Sequence, residues 1–290
     1  MARLGYVGLG IMGGPMARHL ATAKHSMTVY NRTTAKADAW VEQHGGARVL
    51  TPREVAQASD VVLMCVGNDD DVRSVVFGAD GILAGLKTGG ILVDHTTASA
   101  TIAREIADAC AKQGCGFVDA PVSGGQAGAE NGQLTIMCGS NDSATFDAIE
   151  PIIAAYAKRS KLLGTAGSGQ LAKMVNQICI AGIAQGLSEA LNFAMRAGLD
   201  PDDVVDVISK GAAQSWQMEN RAKTMVRNEF EFGFAVEWMR KDLGICFDEA
   251  SRNGAQLPMT EMVDKFYEEV VALGGKRWDT SSLIARLTKD

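Results

Sequence analysis

A short apolar strand that runs straight into Gly8-Leu9-Gly10-Ile11-Met12-Gly13 is the feature that most limits what this chain can become. Each glycine has its own task in such a turn. Gly8 permits the tight bend, Gly10 lets a phosphate approach the backbone, and Gly13 allows close packing of helix on strand. The flanking residues supply the context. Residues 4–7 read as a strand and 15–23 as a helix, and a G-x-G-x-x-G between the two marks a dinucleotide pyrophosphate resting on a helix N-terminus. Leu9, Ile11 and Met12 belong to the same expected cofactor contact.

A second strand, 27–30, ends at Asn31-Arg32-Thr33. NAD enzymes place an acidic residue here, about 20 residues beyond the glycines, to hold the ribose 2′-hydroxyl. A neutral amide followed by a cation removes repulsion toward a 2′-phosphate, and the Arg32 fork can grip that phosphate. The expectation is NADP(H) in preference to NAD(H), with NAD still possible.

More strands follow at the spacing of strand–helix–strand units. Residues 61–66, ending at Val66 before Gly67-Asn68, form a continuous apolar run suited to burial on both faces. Residues 91–94 end in His95-Thr96-Thr97, and 117–120 lead into Pro121-Val122-Ser123-Gly124-Gly125. Ligands of doubly wound sheets bind beyond the carboxyl ends of the strands, so these loops should line one crevice. In Ser123-Gly124-Gly125, successive small residues can aim adjacent N–H groups at one anion, such as a substrate carboxylate. Residues 134–138 read as an antiparallel edge strand and 161–163 as a last short one.

From Gln170 the strand pattern ceases. One helix is expected over 170–196, roughly 40 Å long at about 1.5 Å per residue. Gly182 and Gly186 inside it suggest close contact with another helix, since each costs about 1 kcal/mol against alanine. Further helices are expected over 201–210, 216–227, 235–253 and 258–273, with a short turn in 281–287. The division reads as 1–165, an α/β Rossmann domain, and 166–290, an all-α domain, joined by the long helix. Lys173, Asn176 and Gln177 share one face of that helix, a proton donor beside two amides.

Composition narrows the class. A formal net charge of −6 with no basic run argues against nucleic acid as a partner. Six cysteines without a C-x-x-C pair read as small, reduced core residues, and no metal site is expected. A strand pattern that begins at residue 4 leaves no room for a signal peptide, and the apolar stretch 178–184 is too short to span a bilayer. These point to a cytoplasmic protein with no membrane partner.

Taken in order, the glycine turn with Gly14-Pro15-Met16, Asp119-Ala120-Pro121-Val122-Ser123-Gly124-Gly125, the stretch from Gly167 to Gln177, and Lys241-Asp242-Leu243 resemble the β-hydroxyacid dehydrogenases over nearly the whole chain. That family includes 3-hydroxyisobutyrate dehydrogenase, tartronate semialdehyde reductase and the glyoxylate/succinic semialdehyde reductases. The resemblance implies that Lys173 is catalytic and that Asn176 and Gln177 lie beside the substrate. It implies that Ser123, Gly124 and Gly125 hold the substrate carboxylate, and that Thr97 and Lys241 touch the cofactor near its nicotinamide. It also implies a homodimer or homotetramer through the helical domain. Residues 211–217 differ from the best-known members, so the substrate stays open.

Chemically, the expectation is interconversion of a small 3-hydroxy acid and its semialdehyde, with Lys173 donating or accepting the proton. Histidine is the usual base in dehydrogenases, and His95, at a strand end, is the rival. Other readings of the same scaffold are a glyoxylate/succinic semialdehyde reductase, an imine reductase-like enzyme and a non-catalytic NADP-binding module. A 6-phosphogluconate-type decarboxylating enzyme fits less well, because the chain lacks a much longer helical domain.

Overall fold

Alternate residues of each central strand feed opposite layers of the first unit. The computed structural model describes residues 1–288, and the chain divides into two compact units, Met1–Lys173 and Met174–Asp290. In the first, β1 (Arg3–Val7), β2 (Ser26–Tyr30), β3 (Ala47–Arg48), β4 (Val61–Met64), β5 (Ile91–Asp94) and β6 (Gly116–Asp119) form one sheet in the order β3-β2-β1-β4-β5-β6. Every pair in it is parallel. Leu4, Tyr6, Val61, Leu63, Val93 and Val118 enter one core, and Val7, Val62, Met64, Leu92 and Phe117 the other. A strand that supplies both layers must be apolar throughout, which explains the unbroken run of β4.

The connecting helices divide the same way. Met16, Ala17 and Leu20 of α1 (Gly13–Thr22) and Ala37 and Trp40 of α2 (Thr34–His44) fill the first layer. The second takes Val55 of α3 (Pro52–Ala58), Val72 and Val76 of α4 (Asp69–Phe77), and Ile102 and Ile106 of α5 (Ala100–Lys112). This is the expected doubly wound Rossmann fold. Its strand order reverses between β1 and β4, the switch point beside which such sheets bind dinucleotides.

The end of this unit departs from expectation. β7 (Val122–Ser123), β8 (Leu134–Cys138) and β9 (Ala157–Leu162) form a separate three-stranded sheet, with α6 (Gly125–Glu130) and α7 (Ser143–Ile153) between them. β8 is antiparallel to β7 and parallel to β9, so it is not an edge of the main sheet. Pro121 has no N–H for a neighbouring strand and breaks the run after β6. A single bridge, Asp119 to Gly139, links the two sheets there. β4 likewise stops at Met64, because the Val66 N–H leaves the ladder for the Thr96 hydroxyl at 3.0 Å.

α8 (Ser168–Arg196) is one continuous helix, and the division between units falls inside it. The second unit continues with α9 (Pro201–Ile208), α10 (Trp216–Val226), α11 (Val236–Asn253), α12 (Pro258–Ala272) and α13 (Ala285–Thr288), plus tight turns at Gly275–Arg277 and Thr280–Ile284. Asp200 and Ser215 cap α9 and α10 through their side chains, and Pro201 opens α9. Ala181, Ala184, Val236, Met239, Leu243, Val263 and Tyr267 build one core of this unit. A Cβ on Gly182 would lie 2.7 Å from the Met259 methyl, so this glycine admits the start of α12, whereas Gly186 faces open space.

Two sequence readings need correction. Cys110, Cys115, Cys138 and Cys246 are buried, but Cys65 is only half-buried and Cys179 is exposed. By length and composition, α8 as a whole is long and apolar enough to cross a membrane. Interior helices meet the same criterion, and buried Gln170, Lys173, Gln177 and Gln185 lie along it, side chains that hydrocarbon would penalise.

Candidate functional site

The glycine turn after β1 is shaped by want of space. A Cβ on Gly8 would stand 2.2 Å from the Cys65 carbonyl oxygen, and one on Gly13 only 1.9 Å from that of Gly8. Gly10 is exposed, with nothing near its missing Cβ. The turn is pinned from the end of β2: Gly8 N–H donates to the Tyr30 carbonyl at 2.9 Å and Leu9 N–H to the Asn31 side-chain oxygen at 2.9 Å. Asn31 also donates to the Thr33 carbonyl at 3.0 Å. Leu9 is buried and Ile11 exposed, while Met12 stands at the N-cap of α1 with no side-chain cap and no acid in the first turn. A diphosphate needs such a cradle, with backbone donors at a helix start and no competing carboxylate, so the residues fit a dinucleotide.

Around the cradle, Arg32 reaches the Asp71 carboxylate at 3.0 Å with a side chain 85% exposed. Asn68 caps α4 by accepting from Asp71 N–H at 2.9 Å, and Thr97 lies half-buried between β5 and α5. Thr33 stands at the N-cap of α2 without a side-chain cap.

His95 faces the interior. Its Nδ1 is 2.7 Å from the Ala120 carbonyl and its Nε2 2.8 Å from the Tyr156 hydroxyl. Burial pushes its pKa down to about 4, so the ring is neutral at neutral pH with both nitrogens engaged. It is poorly placed to serve as a base.

Asp94 and Asp119 end adjacent strands in register and are fully buried. Burial raises Asp94 to about 7 and Asp119 to about 6. Asp94 accepts from Thr96 N–H at 2.8 Å. Asp119 accepts from Gly167 N–H at 2.7 Å and Gln170 N–H at 2.9 Å, at the head of α8. Three residues beyond Gln170, the Lys173 side chain is buried, 8% exposed. Ser123 closes β7 half-buried, and Gly124 and Gly125, exposed at φ +131° and +59°, take backbone conformations that L side chains rarely adopt.

Asn176, Gln177 and Lys241 belong to the second unit. Gln177 donates to an Asp242 oxygen at 2.7 Å and accepts from the Asn176 amide at 2.8 Å. The other Asp242 oxygen pairs with the Lys241 ammonium at 3.1 Å, which lies 5.9 Å from the Trp238 ring centroid. Gln177 thus links Asn176 to the buried Asp242 of α11, which also pairs with Lys241. The sequence reading passed over Asp119, Gln170 and Asp242, although each stands inside a motif it used.

Known proteins align along the whole chain. Residues 3–167 match the family model described as the NAD binding domain of 6-phosphogluconate dehydrogenase. Residues 167–287 match that described as NAD-binding of NADP-dependent 3-hydroxyisobutyrate dehydrogenase. An uncharacterized oxidoreductase of Shewanella frigidimarina is 61% identical, covering 100% of this chain and 99% of its own. A probable 3-hydroxyisobutyrate dehydrogenase-like protein of Arabidopsis thaliana is 40% identical over 99% of this chain and 85% of its own. Among solved structures, 3-hydroxyisobutyrate dehydrogenase of Mycobacterium tuberculosis with L-serine is 28% identical, covers both chains fully and superposes with a TM-score of 0.90.

Proposed function

The chain belongs to the β-hydroxyacid dehydrogenases, NAD(P)-dependent enzymes that act on CH–OH groups, and from that premise we propose that it interconverts a small 3-hydroxy acid and its semialdehyde with NADP(H). Lys173 carries the reading. It is a buried ammonium near the head of a helix tied to the main sheet, in a chain whose His95 is neutral and occupied.

The cofactor, when bound, supplies or accepts the hydride. Lys173 gives its proton to the oxygen that becomes the alcohol, and takes that proton back in oxidation. An ordinary lysine, with a pKa of about 10.4, is a poor base at neutral pH, so the role calls for a side chain withdrawn from bulk water. The Ser123 hydroxyl and the N–H groups of Gly124 and Gly125 hold the substrate carboxylate. Asn176, oriented through Gln177 and Asp242, binds substrate, and Thr97 and Lys241 bind the cofactor. L-Serine, named with the Mycobacterium structure, is itself a 3-hydroxy acid, which supports this substrate class.

NADP(H) preference rests on Arg32. Its exposed pair with Asp71 is worth less than about 1 kcal/mol and yields readily to a 2′-phosphate. kcat/KM measured with both cofactors should favour NADPH, and Arg32→Ala should narrow the ratio by about tenfold or more, the loss of one charge-assisted contact. A clear NADH preference overturns this part.

The main test is Lys173→Ala, which should lower kcat by about a thousandfold with NADPH affinity within about threefold, a barrier change of roughly 4 kcal/mol. Activity within about tenfold of the parent removes Lys173 from the mechanism. Oxidation of 3-hydroxyisobutyrate, glycerate, serine and 4-hydroxybutyrate, beside reduction of glyoxylate and succinic semialdehyde, identifies the substrate. We also infer a homodimer or homotetramer through the helical unit, where Val175, Ile183 and Phe193 are exposed along α8; light scattering reads the mass directly.

A further inference from the structure

The first turn of any helix carries N–H groups that find no partner within it. At the head of α8 a carboxylate from far along the chain meets this need: Asp119 accepts from Gly167 N–H through one oxygen and from Gln170 N–H through the other. Gln170 passes the connection on. Its side-chain oxygen accepts from Ala98 N–H at 3.1 Å, and its nitrogen donates to the Thr96 carbonyl at 2.7 Å. Thr97 lies between those two contacts. The Asp119 backbone is itself anchored, exchanging bonds with Gly139 at 3.0 and 2.8 Å.

We propose that Asp119 and Gln170 are positioning residues of the reaction, a two-part clamp that sets the height and rotation of α8 against the ends of β5 and β6 and thereby the place of the Lys173 ammonium. The inference rests on Lys173 being the group that moves the proton. Lys173 is one helical turn beyond Gln170, about 4.5 Å along the axis, so a slip or twist of the first turn reaches it undiminished. An ordinary local cap would suffice to stabilise the helix. Burying a carboxylate and an amide costs free energy that a cap avoids, and what the buried network adds is a single orientation. Proton transfer is sensitive to orientation, since a misplacement of about 1 Å can cost about a hundredfold in rate.

The experiment compares Gln170→Met, Asp119→Asn, Lys173→Ala and the double variant Gln170→Met/Lys173→Ala, using NADP(H) and the fastest substrate of the panel above. Gln170→Met keeps the side-chain length and removes both polar contacts. Asp119→Asn keeps one acceptor and turns a donor toward a donor. Each should lower kcat by about ten- to a hundredfold, leave the KM for cofactor within about threefold, and raise the primary isotope effect from deuterated cofactor as chemistry becomes slower than release. The double variant should be no slower than Lys173→Ala alone, because a clamp has nothing to position once the lysine is gone. If Lys173→Ala stays active within about tenfold, the reading of Lys173 fails, and the clamp with it. If Lys173→Ala is inactive but both clamp variants keep kcat within about twofold, or the losses multiply in the double variant, the clamp alone is overturned. Failure of both clamp variants to fold would mark the pair as determinants of the fold and also overturn it.

Discussion

Asp94 and Asp119 occupy the same rung of the same sheet, equally buried, yet they are different chemical objects. Asp119 has a backbone N–H on each oxygen. Asp94 is served by Thr96 alone, through its N–H and its hydroxyl, and its second oxygen is buried with no hydrogen-bond partner. Both pay desolvation, which raises both pKa values, but the donors hold Asp119 at about 6 while Asp94 climbs to about 7. Near neutral pH one residue is mainly a carboxylate and serves as an anchor, and the other is poised to hold its proton. Burial alone therefore does not decide whether an acid is charged; its hydrogen-bond donors and its charged neighbours act as well.

The comparison can be broken most forcefully at Asp119. Asp119→Ala strands two buried N–H groups and should cost about 3–5 kcal/mol in urea unfolding; a loss below about 1 kcal/mol would show that the anchor is idle. Next in size is the pH dependence of Asp94. Its folded pKa, about 7, lies above the unfolded value of 3.8, so the stability it contributes is complete below 3.8 and is lost as pH rises through about 7. Asp94→Asn cannot titrate, so its stability relative to the parent should rise between pH 4.5 and 8.5 by on the order of 3 kcal/mol, with most of the change below about pH 7.5. A pH-independent difference would mean that Asp94 stays ionised throughout.

Thr96→Val comes third. It removes the acceptor for Val66 N–H and the hydroxyl that helps hold the Asp94 pKa down, keeps the backbone donor, and should cost about 1–2 kcal/mol, more at high pH where Asp94 ionises. Asp69→Asn has the smallest effect. Asp69 raises Asp94 least among the causes of its shift, so carboxyl NMR should find the Asp94 midpoint lowered by only a few tenths. A larger drop would make charge, rather than burial, the main cause.

What could be read in advance follows how local each signal is. Parallel strands buried on both faces announce themselves as apolar runs, and the turn at 8–13 carries its own sterics, so the main sheet and its cradle were legible. The separation of β7, β8 and β9 was not, because it depends on one missing N–H at Pro121 and on which partner Gly139 finds. The same limit hid the supporting side chains. Asp119 meets its donors 48 and 51 residues away, and Gln177 meets Asp242 65 residues away. No local pattern encodes such a meeting. The surroundings of His95 were hidden for a related reason: its place at the end of β5 made it a rival base, but its neighbour Tyr156 comes from 61 residues further along.

The amide of Asn31 has a last consequence. Its oxygen holds the loop at Leu9, and an aspartate would offer an oxygen in the same place, giving up only the bond to Thr33. The loop's shape is therefore largely indifferent to whether an amide or a carboxylate stands at position 31. Position 31 can exchange one nitrogen for one oxygen without the cradle having to refold around the new side chain.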